Sequence, residues 1–119
     1  MLHRRIRSFG YALTGLRIAW REEANIRIEV AFALLASALG VALEIAPAEW
    51  LVLFVWFALV LAAEAFNTAL EELCDMLRTT HDPHVAKIKD LSAAAVLITS
   101  IGAFVSGIVI FVPRLLALI

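Results

Sequence analysis

Four polar side chains able to do chemistry lie on one face of a predicted helix. Glu64, Asn67, Glu71 and Asp75 are spaced by 3, 4 and 4 residues, so at about 100° per residue they share an arc of roughly 80°. Carboxylates this close must be neutralised by protons, basic side chains or metal. Mg²⁺ suits them, because it prefers oxygen ligands and is commonly held by one or two carboxylates with substrate phosphates. One carboxylate could bind metal while another accepts a proton.

This polar stripe directly follows a strongly apolar run, Trp50 to Ala63. Ionisable groups in or beside a membrane span cost at least a few kcal/mol each, and they normally face a bundle interior or a wet cavity. We therefore interpret the stripe as a functional site. The sequence contains no Walker loop, dinucleotide-binding glycine fingerprint, serine nucleophile elbow or kinase Gly-rich loop, so any nucleotide site is of another kind.

The elements that carry the stripe are predicted to be membrane helices. The chain has 119 residues, 63% of them hydrophobic, and a mean hydropathy of +0.93, which exceeds the usual range for soluble domains. We predict one all-α membrane domain over 1–119, with transmembrane helices at 28–46, 50–70 and 91–113. The alternative, buried helices of a soluble protein, is disfavoured because so short a chain has no second layer to cover them.

The N-terminal segment 3–25 is predicted to be an amphipathic surface helix. Its apolar residues recur at spacings of 3 and 4 and form one stripe: Ile6, Phe9, Leu13, Leu16 and Trp20. A basic helix of this kind lies in the headgroup region of a membrane. Packing on its own bundle is an equally open and compatible interpretation.

The distribution of basic residues predicts the orientation. Six arginines precede the first span, and Arg78, Lys87 and Lys89 lie between the second and third, whereas the short loop 44–49 has none. By the positive-inside rule the N-terminus and the carboxylate stripe face the cytosol, which places the protein in the cytoplasmic (inner) membrane. No nucleic-acid partner is expected.

Other polar residues carry weaker signals. Glu23 is a second candidate metal ligand, although an ion pair with Arg27 explains it equally well. His81 and His84 are more simply explained as surface residues than as metal ligands. The single cysteine, Cys74, excludes a disulfide framework or zinc set within one chain.

The polar stripe belongs to a recognisable motif. Glu64-x-x-Asn67-Thr68-Ala69-Leu70-Glu71-x-x-Cys74-Asp75 resembles the signature of the prokaryotic diacylglycerol kinases, small membrane lipid kinases that also include undecaprenol kinases. Gly10-Tyr11-x-x-x-Gly15-Leu16-Arg17-x-Ala19-Trp20, Glu23 and Lys89-Asp90 resemble the family in order and spacing. The resemblance covers nearly the whole chain. It implies a surface helix plus three transmembrane helices in a homotrimer, with active sites shared between subunits.

The resemblance also implies roles for individual residues. Glu64 would be the base that takes the proton from a lipid hydroxyl, and Glu23 and Glu71 would hold the Mg²⁺ that orients ATP. Contacts to ATP or its phosphates would come from Asn67, Asp75, Lys89 and Asp90, with Arg4, Tyr11, Thr80, His81 and Asp82 closing on the nucleotide. The lipid would be flanked by Arg17, Trp20, Asn25 and Glu29.

The expected activity is ATP-dependent phosphorylation of a membrane lipid alcohol, first of all diacylglycerol, with undecaprenol as the alternative. Glu29 resembles the diacylglycerol type, whereas Pro113-Arg114 resembles the undecaprenol type. A serine found in some members is Ala93 here, with Ser92 one place earlier, so no lipid contact is assigned there. Two further hypotheses are a non-enzymatic ion- or proton-conducting oligomer and an inactive scaffold. Lys89-Asp90 argues against a conductor, because a proton path needs no phosphate clamp.

Overall fold

The computed structural model describes residues 1–77 and 82–119, which form four α-helices. They are α1 (Leu2–Glu22), α2 (Ala24–Ala42), α3 (Pro47–Met76) and α4 (Pro83–Leu116). The last three are long and apolar enough to cross a membrane. The predicted all-α class, with an N-terminal helix and three candidate spans, is confirmed. Of the residues named in the sequence analysis, Arg78, Thr80 and His81 lie outside the described part.

The junction between α1 and α2 is a single extended residue. Glu23 has φ −106° and ψ 110°, so α1 ends at Glu22 and not at the predicted residue 25. Arg27 closes the end of α1, because its Nη1 donates to the carbonyl oxygens of Trp20 (2.6 Å) and Arg21 (3.2 Å), which lack helical donors. Ion pairs between described residues do not include Glu23 with Arg27. That interpretation of Glu23 is therefore wrong, and its carboxylate stays available.

The apolar stripe of α1 is not covered by the rest of the chain. Its five members are between 45% and 69% exposed, and Ala19 is the α1 residue that becomes buried. The helix therefore buries one small residue and leaves the large apolar side chains of its stripe exposed. This favours contact of the stripe with the bilayer over packing on the chain's own bundle.

The turn after α2 ends that helix before the predicted boundary at residue 46. Because α2 also begins at Ala24, it has the same 19 residues as the predicted span 28–46 and is shifted by four toward the N-terminus. The N–H of Ile45 donates to the Gly40 carbonyl (3.1 Å) and the N–H of Glu44 to that of Val41 (3.2 Å), which is a Schellman motif. Glu44 takes the left-handed position with φ 50°, where glycine is usual. Ile45 then turns back into the core, so the helix ends four residues before the predicted boundary.

The main packing interface joins α3 to α4, with α2 against one side. A buried cluster holds it at the loop end of the bundle: Ile45, Leu53, Ile110 and Phe111. At the same loop end, Glu49 accepts two hydrogen bonds from the Arg114 guanidinium, one of them 2.7 Å long. It accepts a third from the Ala46 N–H (3.0 Å). This ion pair ties the first turn of α3 to the last turn of α4.

Helices α3 and α4 are both longer than a bilayer requires. With 30 and 34 residues they extend about 45 Å and 51 Å, against a hydrocarbon core of about 30 Å. Helix α4 begins eight residues before its predicted span because the Asp82 carboxylate accepts from the His84 N–H (2.8 Å) and Pro83 occupies the first turn. The polar segment 83–90 is thereby helical and runs beside the end of α3.

We predict that Gly102→Ala destabilises the protein, because an added Cβ would lie inside contact distance of the Trp56 ring. Overpacking of this kind costs about 1–3 kcal/mol. Gly107→Ala is the matched control on the same helix, since a Cβ there meets no atom within 4 Å, and alanine should stabilise by about 0.5–1 kcal/mol. Thermal unfolding in micelles measures both, and equal midpoints would contradict the close approach of α3 and α4.

Candidate active site

The centre of the site is the buried carboxylate of Glu64 on α3. Its side chain is only 3% exposed, and it is one of two polar residues buried within the described chain, with Ser92 the other. Measured along α3 from Pro47, Glu64 lies about 26 Å along the helix and Glu71 about 36 Å. With Pro47 placed at one edge of a hydrocarbon core of about 30 Å, Glu64 would fall just inside the other edge and Glu71 beyond it.

The start of α2 brings further polar groups to Glu64. The Asn25 side chain lies near the Glu64 carboxylate, and Glu23, Glu29 and Glu71 are near enough for their charges to act on it. Residues of the junction, α2 and α3 are thus neighbours, although 39 positions separate Asn25 from Glu64 in the sequence. The extended backbone at Glu23 is what allows α2 to present them.

The chemistry of these groups fits a magnesium ion. Glu23 and Glu71 offer hard oxygen ligands on either side of the buried carboxylate, and Glu71 is exposed where a phosphate chain could reach it. In residues 1–77 and 82–119, however, no three His, Cys, Asp or Glu side chains converge in a metal-binding geometry. Mg²⁺ is usually coordinated by one or two carboxylates together with substrate phosphates and water. This donor set therefore suits Mg²⁺ that is carried by a nucleotide.

A hydrogen-bonded chain from α4 orients the amide on the stripe. Ser92 Oγ lies 2.7 Å from Asn67 Oδ1 and 2.9 Å from the Lys89 carbonyl oxygen. Because Asn67 Oδ1 accepts from the serine, its Nδ2 is turned toward Glu71 Oε1, at 3.4 Å. Ser92 was not predicted as a site residue. The only sequence signal for it was a small polar residue close after Lys89-Asp90 in an apolar span.

The exposed end of the stripe carries an ion pair between helices. Lys89 Nζ lies 3.0 Å from Asp75 Oδ1, and both side chains are substantially solvent-exposed. Exposed pairs contribute little stability. The pair therefore serves chiefly to hold a cation beside Glu71, at the point where nucleotide phosphates would approach.

Several predicted residues are not joined to this cluster within the single chain. No hydrogen bond or ion pair among the described residues links the side chains of Arg4, Tyr11 or Asp90 to it. Asp82 caps α4. Arg17 and Trp20 line a shallow concavity on α1. Their predicted roles stay predictions.

Glu29 connects the cluster to an apolar groove between α2 and α4. The groove encloses about 440 Å³. Apart from Glu29 and Ser100 its walls are apolar, with Phe32 and Leu35 from α2, Phe57 from α3 and Phe104 from α4 among them. An apolar groove with one carboxylate in its wall is suited to an amphiphile that has a polar head and a hydrocarbon tail.

Comparisons with known proteins match most of the chain to lipid kinases. The family model described as prokaryotic diacylglycerol kinase matches residues 10–111. The chain is 30% identical over 114 residues to the undecaprenol kinase of Bacillus subtilis (strain 168), covering 96% of this chain and 93% of that protein. It is 33% identical over 101 residues to the diacylglycerol kinase of Escherichia coli (strain K12), covering 85% and 83%.

We predict that Ser92→Ala and Asn67→Ala are coupled in a double-mutant cycle on thermal stability. A half-buried Asn67 oxygen that loses its donor costs less than the about 1–3 kcal/mol of a fully buried one, so the coupling energy should be about 1 kcal/mol. Ser106→Ala is the control on α4, because no side-chain hydrogen bond is described for Ser106. Additive losses for the Ser92 and Asn67 variants would show that the two side chains do not interact.

Proposed function

The chain belongs to the prokaryotic diacylglycerol kinase family and is an integral membrane lipid kinase, and we propose that it transfers the γ-phosphoryl group of ATP to the hydroxyl of diacylglycerol. The prediction of a lipid kinase is confirmed by the family. The hypotheses of a conducting oligomer and of an inactive scaffold have no comparable support. One observation carries the residue assignment: a buried carboxylate, Glu64, at the edge of the bilayer core with exposed acidic and basic groups just beyond it.

In the proposed mechanism Glu64 acts as the general base. Its carboxylate takes the proton from the lipid hydroxyl, the freed oxygen attacks the γ-phosphorus, and the bond from that phosphorus to the bridging oxygen of ADP breaks. Phosphoryl transfer needs mainly positioning and charge compensation. Asn25 would help the positioning, because its amide lies near the carboxylate on the α2 side, where Glu29 borders the apolar groove.

The nucleotide is proposed to bind at the exposed end of the stripe. Mg²⁺ held by Glu23 and Glu71 would neutralise and orient the phosphates when bound. Lys89, kept in place by Asp75, gives a cation to the same phosphates. We further propose that Arg4, Tyr11, Thr80, His81, Asp82 and Asp90 contact ATP, and that Arg17 and Trp20 contact the lipid.

The orientation and assembly are part of the proposal. The basic residues of α1 and of the segment after α3 support a cytosolic site in the inner membrane. Two features support a homotrimer with shared sites. Large apolar faces of the chain are exposed, and Arg4 and Tyr11 make no described bond to the cluster around Glu64 within one chain.

Undecaprenol is the second candidate acceptor. The undecaprenol kinase of Bacillus subtilis aligns over 96% of this chain, more than the 85% for the diacylglycerol kinase of Escherichia coli. Identity is nearly the same for the two, so the acceptor must be measured. Purified protein in mixed micelles with γ-labelled ATP should label diacylglycerol, and label in undecaprenol alone would replace our choice of lipid.

We predict that Glu64→Gln reduces transfer at least 100-fold, because an amide cannot accept the proton. The oligomer should stay intact, since the amide keeps the shape of the side chain and needs no charge compensation. Glu72→Gln, an exposed acid off the stripe on the same helix, is the matched control and should keep wild-type turnover. Wild-type turnover in Glu64→Gln would remove Glu64 from the role of base.

We predict that Glu71→Gln raises the Mg²⁺ concentration for half-maximal rate by tenfold or more, because one anionic ligand is lost. A magnesium titration at saturating ATP and lipid measures the shift, again with Glu72→Gln as control. An unchanged titration curve would mean that Glu71 does not bind the ion.

A further inference from the structure

Thr68 on α3 carries a buried hydroxyl that has no hydrogen-bond partner among the described residues. Hydroxyls on helices commonly donate to the carbonyl three or four residues earlier. In this chain that bond is made by Ser8, Thr14, Ser37 and Thr99. Thr68 makes no such bond to Glu64 or Ala65. Its Oγ1 is therefore shielded from water by the fold and still unpaired, which native structures rarely leave without a reason.

The position of Thr68 indicates what the missing partner is. It follows Glu64 by four residues and precedes Glu71 by three, so all three lie on one face of α3 within roughly 60°. Under the proposed function Glu64 holds the acceptor hydroxyl and Glu71 holds the metal on the donor phosphates. The phosphorus that moves from donor to acceptor must then pass between them, beside Thr68.

We propose that Thr68 Oγ1 donates a hydrogen bond to a non-bridging oxygen of the transferring phosphoryl group. This inference rests on the proposed function. Under the proposed function the metal would compensate Glu23 and Glu71, but Glu64 stays anionic beside the phosphoryl group, and the Lys89 cation is shared with Asp75. A neutral donor compensates phosphoryl charge without disturbing the base.

The lipid hydroxyl is a poorer partner for Thr68. Its proton goes to Glu64, and a donor on its oxygen would tie up the electron pair that attacks phosphorus. A group with several anionic oxygens, held in a water-excluded place, is stabilised well by a neutral hydroxyl donor. Because Oγ1 is closed off from solvent in the chain alone, the proposed bond forms when substrate is present and the hydroxyl turns toward the phosphoryl group.

The test compares Thr68→Val, which keeps the shape without the hydroxyl, with Thr68→Ser, which keeps the hydroxyl. The kcat and the KM for MgATP and for lipid are measured in mixed micelles, together with thermal unfolding and oligomer mass. We expect Thr68→Val to lower kcat tenfold to several hundredfold with the lipid KM within threefold. Its unfolding midpoint should not fall, because the buried hydroxyl has no bond to lose. Thr68→Ser should recover kcat to within about fivefold of wild type.

Other outcomes overturn the proposal. Wild-type kcat in Thr68→Val, or a loss that Thr68→Ser fails to recover, shows that the hydroxyl does not act on the phosphoryl group. A change confined to oligomer mass assigns the hydroxyl to a neighbouring copy instead. If Thr68→Val does not fold, Thr68→Ala is measured in its place and judged by the same kcat criterion. If the wild type transfers no phosphate and does not differ from Glu64→Gln, the proposed function itself fails. That outcome differs from failure of the Thr68 proposal, in which the wild type is active.

Discussion

Glu64 is a carboxylate almost wholly buried on a helix long and apolar enough to cross the bilayer, and such a group is tolerated only where its surroundings compensate it. Within one chain the compensation is incomplete. The Asn25 amide near it is neutral, and the other groups that act on Glu64 are acidic. The rest of the structure can be understood as an arrangement for bringing the missing partners, a proton, a metal-bound nucleotide or a neighbouring subunit, to this one point.

The packing keeps that arrangement rigid along the whole length of α3. One ion pair, Glu49 with Arg114, joins α3 to α4 at the loop end, and another, Lys89 with Asp75, joins them at the opposite end. Between them the Trp56 ring fills the space that Gly102 leaves open. Neither ion pair need add much stability. Together with the ring they define the rotation of α4 about α3, and that rotation decides which side chain faces Asn67.

Much of this was predictable from periodicity and composition, and the exceptions have physical causes. Apolar runs predicted three spans, and spacing placed Glu64 and Glu71 on one face, because both patterns are local. The end of α2 was missed because Glu44 occupies a left-handed position that sequence patterns reserve for glycine. The contact of Ser92 with Asn67 was missed because it depends on how two helices are rotated against each other, and 25 residues of sequence separate them.

The depth of the site in the membrane explains why Glu64 is separated along α3 from Glu71 and Asp75. A lipid alcohol presents its hydroxyl near the edge of the hydrocarbon core, whereas ATP cannot enter the core. Glu64 lies within that edge, and Glu71 and Asp75 lie progressively beyond it along a continuous helix. One rigid helix therefore places the proposed base at the depth of the lipid and the proposed metal ligand at the depth of the nucleotide. A loop could not fix this offset, since it has no constant rise per residue, so the extension of α3 past the bilayer is itself part of the site.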